Sequence, residues 1–248
     1  MNQSIKDLAV FFYSKLSSLT RYFDRYFISN DVGPSKFVSH QKWQKFLHEY
    51  AKFPGCRVLE IGSREVTGVS KARENFSGAE YVGFDYYKGN NVDMVGDAHM
   101  LSAFFPDYKF DIVYSSATFE HFAMPWVVAG EIAKVLKVGG IVFIETHFSF
   151  SSHERPWHFF QFSDLGLKAL FSGALGFECL DSGMDNPIVG RFSSYSDKYL
   201  RFRPVGGLYC HSQYLGKKVR DVPGFNWNMV KINHVVGKTR YPEKCEDR

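Results

Sequence analysis

Cysteine is scarce in this chain, and its four copies, Cys56, Cys179, Cys210 and Cys245, stand far apart with no CxxC pair. That spacing suits neither a disulfide framework nor a zinc site, so reduced thiols and no bound metal are expected. No apolar run reaches 18 residues, which excludes a membrane-spanning helix. The N-terminus lacks the apolar stretch and small-residue cleavage site of a secretory leader, and a cytoplasmic location is expected. Repeats and low-complexity tracts are missing too. A net charge of +4 is too small to imply nucleic acid by itself, and no broad basic face or appended binding module is visible.

The charge that exists is concentrated. Residues 186–222 hold seven Lys/Arg (Arg191, Lys198, Arg201, Arg203, Lys217, Lys218, Arg220) against Asp197 and Asp221, so this segment carries +5 and the remainder is near neutral. Phenylalanine is abundant, with 25 copies beside 14 Tyr. This suits a core built with Phe in place of Leu, or an aromatic-lined acceptor pocket.

Residues 4–28 read as an amphipathic helix, with Ile5, Leu8, Phe12, Leu16, Leu19, Phe23 and Tyr26 recurring every three or four positions among Lys6, Lys15, Arg21 and Arg25. It is expected to pack over its own domain as a lid, although a basic amphipathic helix can also lie on an anionic membrane. A polar link at Ser29–Pro34 and a second helix at about Gln41–Lys52 complete an N-terminal helical cap, residues 1–54. Residues 55–248 then form the main domain.

In that domain strand and helix patterns alternate. Strands are expected at Arg57–Ile61, Tyr81–Asp85, Asn91–Val95, Phe110–Ser115 and Ile141–Thr146. Helices are expected near Gly68–Phe76 and from Pro125 to a stop at Gly139-Gly140. After residue 147 a helix near Ser163–Phe171, a strand at Phe177–Leu180, an acceptor-side insertion at 186–222 and a last strand at Met229–Val236 follow. Buried strands alternating with helices imply a doubly wound α/β sheet covered on both faces.

In such a sheet ligands sit beyond the carboxyl ends of the strands. The first strand ends Val58-Leu59-Glu60-Ile61-Gly62-Ser63-Arg64. Twenty-five residues after Glu60 the second ends in Asp85, placed to accept from both ribose hydroxyls of an adenosine cofactor. Alone this suits a nicotinamide cofactor equally, but a G-x-G-x-x-G is missing, which disfavours an oxidoreductase. Then come Gly96-Asp97-Ala98, Phe110-Asp111-Ile112-Val113 running to Glu120-His121, and Leu136-Lys137-Val138-Gly139-Gly140. In the order and spacing of these five motifs, residues 55–148 resemble the class I S-adenosylmethionine-dependent methyltransferases, especially the methyltransferase type 11 group.

The resemblance implies a Rossmann-like sheet, mostly parallel with an antiparallel last strand, and S-adenosylmethionine as cofactor. Residue by residue it places Glu60, Gly62 and Ser63 at the methionine end, Asp85 on the ribose, and Asp97 with the Ala98 backbone on the adenine. Ser115 would face the cleft. The family's glycine-rich first loop is altered here: Arg64 and Val66 replace glycines, and Arg64 would bind the cofactor carboxylate. The same alteration keeps open a non-catalytic member of the fold acting as a binding or scaffold protein.

Methyl transfer to an alcohol needs alignment, exclusion of water and a base, for which histidine is suited near neutral pH. His121 and His147 follow the fourth and fifth strands, with His153 and His158 shortly after, and these four are the candidate catalytic residues. Trp157, Arg191, Arg201 and Arg203 are the candidate acceptor-binding residues, the arginines suited to a phosphate or carboxylate. The expected reaction is methylation of O or N on a small or glycan-like, anionic acceptor.

Overall fold

The structure is a computed structural model that describes residues 3–28, 32–66 and 68–239. The sequence readings of Tyr241–Arg248, Cys245 and the start of the Ser29–Pro34 link fall outside them. The strands are β1 (Arg57–Ile61), β2 (Glu80–Asp85), β3 (Met94–Val95), β4 (Phe110–Ser116), β5 (Leu136–His147), β6 (Phe177–Arg191) and β7 (Pro204–Lys218). The helices are α1 (Gln3–Asp24), α2 (Trp43–Tyr50), α3 (Ala72–Asn75), α4 (Leu101–Phe104), α5 (Pro125–Val135), α6 (Asp164–Leu170) and α7 (Ile232–Val236). One sheet runs in the order β3-β2-β1-β4-β5-β7-β6. β1 to β5 are parallel, and β7 enters antiparallel between β5 and β6.

The short apolar strands are buried on both faces because successive side chains point opposite ways. Leu59, Val113 and Val142 join a core under α4, α5 and α6. Their neighbours Val58, Ile112 and Ile141 join a second core with Trp43 and Leu47 of α2 and Phe76. Phenylalanine fills both layers: Phe84, Phe110, Phe119 and Phe171 pack in the first, and Phe143 stacks on Trp43 at 5.0 Å in the second. Aromatic side chains thus build much of the core, while others, such as Phe12 and Tyr199, stay exposed.

Several boundaries depart from the sequence pattern. The helix expected near Gly68–Phe76 is one turn, α3, preceded by an irregular loop in which Glu65 accepts from the Ser70 N–H at 2.8 Å. Helix α5 stops at Val135, before the two glycines, because Leu136 already pairs with Phe110 of β4. Met229–Val236 is no strand; it holds the end of a 3₁₀ turn and α7. The last strand lies instead inside the basic segment expected as an insertion. Residues 177–218 form a long β6–β7 hairpin, whose base completes the sheet and whose tip runs past the end of β5 at His147–His211.

Lys218 accordingly belongs to the interior. It is 1% exposed, and its ammonium donates to the carbonyls of Ala133 (2.5 Å) and Leu136 (2.8 Å) while pairing with Asp221 at 2.6 Å. It thereby closes the C-terminus of α5, where carbonyls lack intrahelical donors and positive charge is favoured.

The two N-terminal helices differ. α2 packs on the sheet. The apolar stripe of α1 stays uncovered, with Leu8 56%, Phe12 62% and Leu19 75% exposed, so the lid expected of this helix does not lie over the domain. The chain beyond α1 is tied to the hairpin: the Gly207 N–H donates to the Phe27 carbonyl at 3.0 Å, and Met184 N–H to Gly33. Asp181 on β6 accepts from Ser35 Oγ and the Phe37 N–H.

Candidate active site

The carboxyl ends of β1, β2, β4 and β5 make one rim, and the chain turns at each carry the polar residues. At the end of β1, Gly62 adopts φ +84°, a conformation costly for other residues, and a Cβ there would sit 2.0 Å from Thr118 Oγ1. The glycine lets the turn after β4 close against the end of β1. Thr118, whose hydroxyl donates to the Ser116 carbonyl at 3.0 Å, is a site-shaping residue the sequence pattern did not single out.

Three expected cofactor contacts are occupied within the protein. Glu60 turns into a buried network, accepting from the Tyr81 hydroxyl and from Asn91 Nδ2 at 3.4 Å. Burial raises its pKa against the opposing hydrogen bonds from Tyr81, Tyr114 and Asn91. Asn91 also donates to the Ser63 carbonyl at 3.0 Å, so Glu60 braces the first loop from behind. Ser115 is fully buried and donates to the Ile61 carbonyl at 2.9 Å, a tie between β4 and β1. Arg64 reaches no open carboxylate-binding position; its backbone N–H and Nε lie 3.2 and 3.4 Å from the two oxygens of Asp85.

The other expected contacts lie along the same rim. Asp85 closes β2, oriented by the Arg64 and Tyr87 backbone N–H groups. Asp97 follows β3 and accepts from both the backbone and the ring of His99, the ring at 2.6 Å. Although burial opposes it, these bonds hold its carboxyl below the usual range. The other ring nitrogen of His99 accepts from the Met124 N–H at 3.2 Å, joining the β3 and β4 loops. Ala98 is buried beside them, and Ser63 Oγ is buried without a protein partner. Carboxylates closing two adjacent strands, an orphaned hydroxyl and a glycine turn fit S-adenosylmethionine, provided that the Arg64 side chain leaves Asp85.

The candidate catalytic histidines do converge. Ring centroids of His121 and His153 are 5.0 Å apart, His153 and His158 4.6 Å, His147 and His153 5.5 Å. Their hydrogen bonds assign roles. His121 Nδ1 donates to the Trp157 carbonyl at 2.8 Å and His153 Nδ1 to the Ser151 carbonyl at 2.9 Å. A carbonyl only accepts, so both rings carry the proton on Nδ1 and keep a bare Nε2 lone pair. His158 is the reverse: Nδ1 accepts from the His153 N–H, and Nε2 is buried without a partner. Its pKa is lowered by burial, then by the charges of His153 and His121.

His147 is the most enclosed of the four. Its Nδ1 lies 2.6 Å from Glu120 Oε1, and the ring stacks on Phe150 at 4.4 Å. Glu120 is fully buried and accepts from the Thr146 hydroxyl at 2.7 Å. Burial pushes the Glu120 carboxyl up, but the bonds from His147 and Thr146 outweigh it and hold it below the usual range. Glu120 stood in the Glu120-His121 motif yet was not expected in the site.

Trp157 links the two halves of the rim. Its carbonyl orients His121, and its ring lies 6.2 Å from Tyr86, the residue after Asp85. The arginines do not join it. Arg191 pairs with Pro204 at the hairpin tip, seven residues along β7 from His211. At about 3.3 Å per strand residue, the tip is roughly 20 Å beyond the histidines. There Arg191 lies over Phe202, and Arg201 donates to the Ser196 carbonyl.

Residues 57–144 match the model of a family described as "Methyltransferase domain". No curated protein matches by sequence. Among solved structures, the chain is similar to a 1,6-didemethyltoxoflavin-N1-methyltransferase from Burkholderia thailandensis, at 15% identity and TM-score 0.51, covering 89% of this chain and 92% of that one. It is also similar to the YcgJ protein of Bacillus subtilis (18% identity, TM-score 0.49, 71% and 98% covered). A third is a SAM-dependent methyltransferase of Archaeoglobus fulgidus (19%, 0.46, 72% and 96%).

Proposed function

We propose that the chain is an S-adenosylmethionine-dependent methyltransferase, as the match of residues 57–144 to a methyltransferase-domain model supports, and that it methylates O or N of a small or glycan-like acceptor, with His121 as general base. S-adenosylmethionine, the cofactor of this domain, supplies an electrophilic methyl on a sulfonium. What carries the assignment of the base is the His121 Nδ1–H bond to Trp157, which leaves Nε2 free to take a proton. Glu154 Oε2 stands 3.7 Å from Nε2 and favours the imidazolium that results. Asp85 and Asp97 would hold the ribose and adenine, and Trp157 would cover the reacting centre.

The test of the cofactor site is isothermal titration with S-adenosylhomocysteine. Micromolar binding is expected, weakened about ten- to a hundred-fold in Asp85→Ala, because hydrogen bonds to a charged group contribute about 1.5–3 kcal/mol each. Absence of binding by folded wild-type protein would favour the scaffold reading, motivated by Arg64 lying on Asp85.

The acceptor side extends this reading. The uncovered stripe of α1 and the hairpin tip both expose aromatic side chains (Phe11, Phe12, Tyr195, Tyr199, Phe202) beside Lys15, Arg21, Arg25, Lys198, Arg201 and Arg203. They are joined through the Phe27–Gly207 hydrogen bond. No helix among the described residues is long and apolar enough to cross a membrane. A basic, aromatic amphipathic surface suits the plane of an anionic bilayer, where a lipid-linked anionic acceptor would lie. Phe12→Asp with Leu16→Asp is expected to abolish sedimentation with phosphatidylserine vesicles without moving the unfolding midpoint, since both side chains are exposed. Unchanged vesicle binding, or a wild-type dimer broken by the substitutions, would count against a lipid partner for α1.

A further inference from the structure

The sequence carries no metal-ligand spacing, but the sheet brings distant ligand side chains together. His147 on β5 stands opposite His211 on β7 in the antiparallel register, so both side chains leave the same face. Cys210 precedes His211. One ligand atom each from His147, Cys210 and His211 lies within 4.8 Å of the others. Cys210 Sγ is 3.8 Å from His211 Nε2, close to the roughly 3.5 Å separating sulfur and nitrogen in a tetrahedral zinc site with bonds of about 2.3 and 2.0 Å.

Two further observations point the same way. The fully buried Glu120 stands 2.6 Å from His147 Nδ1, which leaves Nε2 as the nitrogen available to a metal. A carboxylate behind a ligating histidine is the usual support of a bound metal. Asn186 Nδ2 stands 2.9 Å from His211 Nδ1, and with the amide turned over its oxygen would hold the proton on Nδ1 and leave Nε2 to a metal. The neighbouring Glu120, His121 and His153 also bring one ligand atom each within 4.8 Å of one another. This set lacks a thiolate, and its carboxylate is already bonded to His147 and Thr146.

We propose that His147, Cys210 and His211 bind a divalent ion of the zinc class, through two imidazole nitrogens and a thiolate. Two nitrogens and one sulfur select a borderline-soft ion over magnesium or calcium. Three protein ligands leave a fourth position for water or an acceptor oxygen. The site is independent of the methyl-transfer reading and survives its failure.

The test uses the full chain, freed of metal by dialysis against a chelator and titrated with Co²⁺. One equivalent is expected to produce intense visible bands of tetrahedral cobalt and a near-ultraviolet thiolate-to-cobalt band, both erased by Zn²⁺. Cys210→Ser should remove the near-ultraviolet band, and Asn186→Ala should weaken Zn²⁺ about ten- to a hundred-fold, as loss of a supporting partner does. Circular dichroism establishes that each variant is folded. A titration without the thiolate band overturns the proposal, as does a band that survives Cys210→Ser and is lost in Cys179→Ser.

Discussion

Replacing His121 with alanine is expected to slow methyl transfer about 10²–10⁴-fold, the usual contribution of a positioned general base. Affinity for S-adenosylhomocysteine should stay within about twofold, because the ring belongs to the Trp157 side of the rim and touches neither Asp85 nor Asp97. The geometry makes His121 the strongest of the four histidines for this role. His158 spends its Nδ1 lone pair on the His153 N–H, and His147 stands deeper, between Glu120 and Phe150. His153 shares the free Nε2 but, among the described residues, forms no ion pair, whereas Glu154 flanks His121. The comparison that decides is His121→Ala against His153→Ala in single-turnover methylation. A full rate in His121→Ala, with loss in His153→Ala, would move the base by one ring. Full rates in both would mean that the acceptor needs none.

How much of this was legible depends on where each residue finds its partners. β1, β2 and β4 are short apolar runs ended by a glycine, an acid and a serine pair, and the chain pattern located them within a residue or so. β7 was not legible. Its run Cys210-His211-Ser212-Gln213 reads as polar, yet Ser212 and Gln213 are fully buried. They are admitted to the centre of the sheet because β5 presents matching groups: Gln213 donates to Glu145 at 3.1 Å, and Ser212 lies 3.5 Å from the Thr146 carbonyl. Met229–Val236 shows the converse, an apolar pattern that forms the end of a 3₁₀ turn and α7 instead of a strand. The histidines of the site were visible as residue types near two strand ends. The Glu120–His147 pair spans 27 positions, and the approach of His147 to Cys210 and His211 spans 63 and 64, which periodicity does not encode.

The same logic predicts the largest loss of stability. Glu120→Ala is expected to cost about 2–4 kcal/mol, because a buried charged acceptor shared by two groups is lost. Two groups, His147 Nδ1–H and the Thr146 hydroxyl, would be left in a dry place beside the space the carboxylate filled. Each unsatisfied donor adds about 1–3 kcal/mol on removal of its acceptor, and the effects overlap because both donors share one carboxylate. Glu120→Gln separates charge from shape. The amide oxygen can accept from Thr146 or from His147 but replaces only one of the two carboxylate oxygens, so an intermediate loss is expected. Urea unfolding of the wild type and both variants measures the series. A loss below about 1 kcal/mol in Glu120→Ala would mean that water reaches His147 and that the pair is not the dry brace the geometry indicates. A graded loss, largest in Ala, would place Glu120 as the residue that sets the His147 ring, and with it the one face of the rim that any metal at Cys210 and His211 must share.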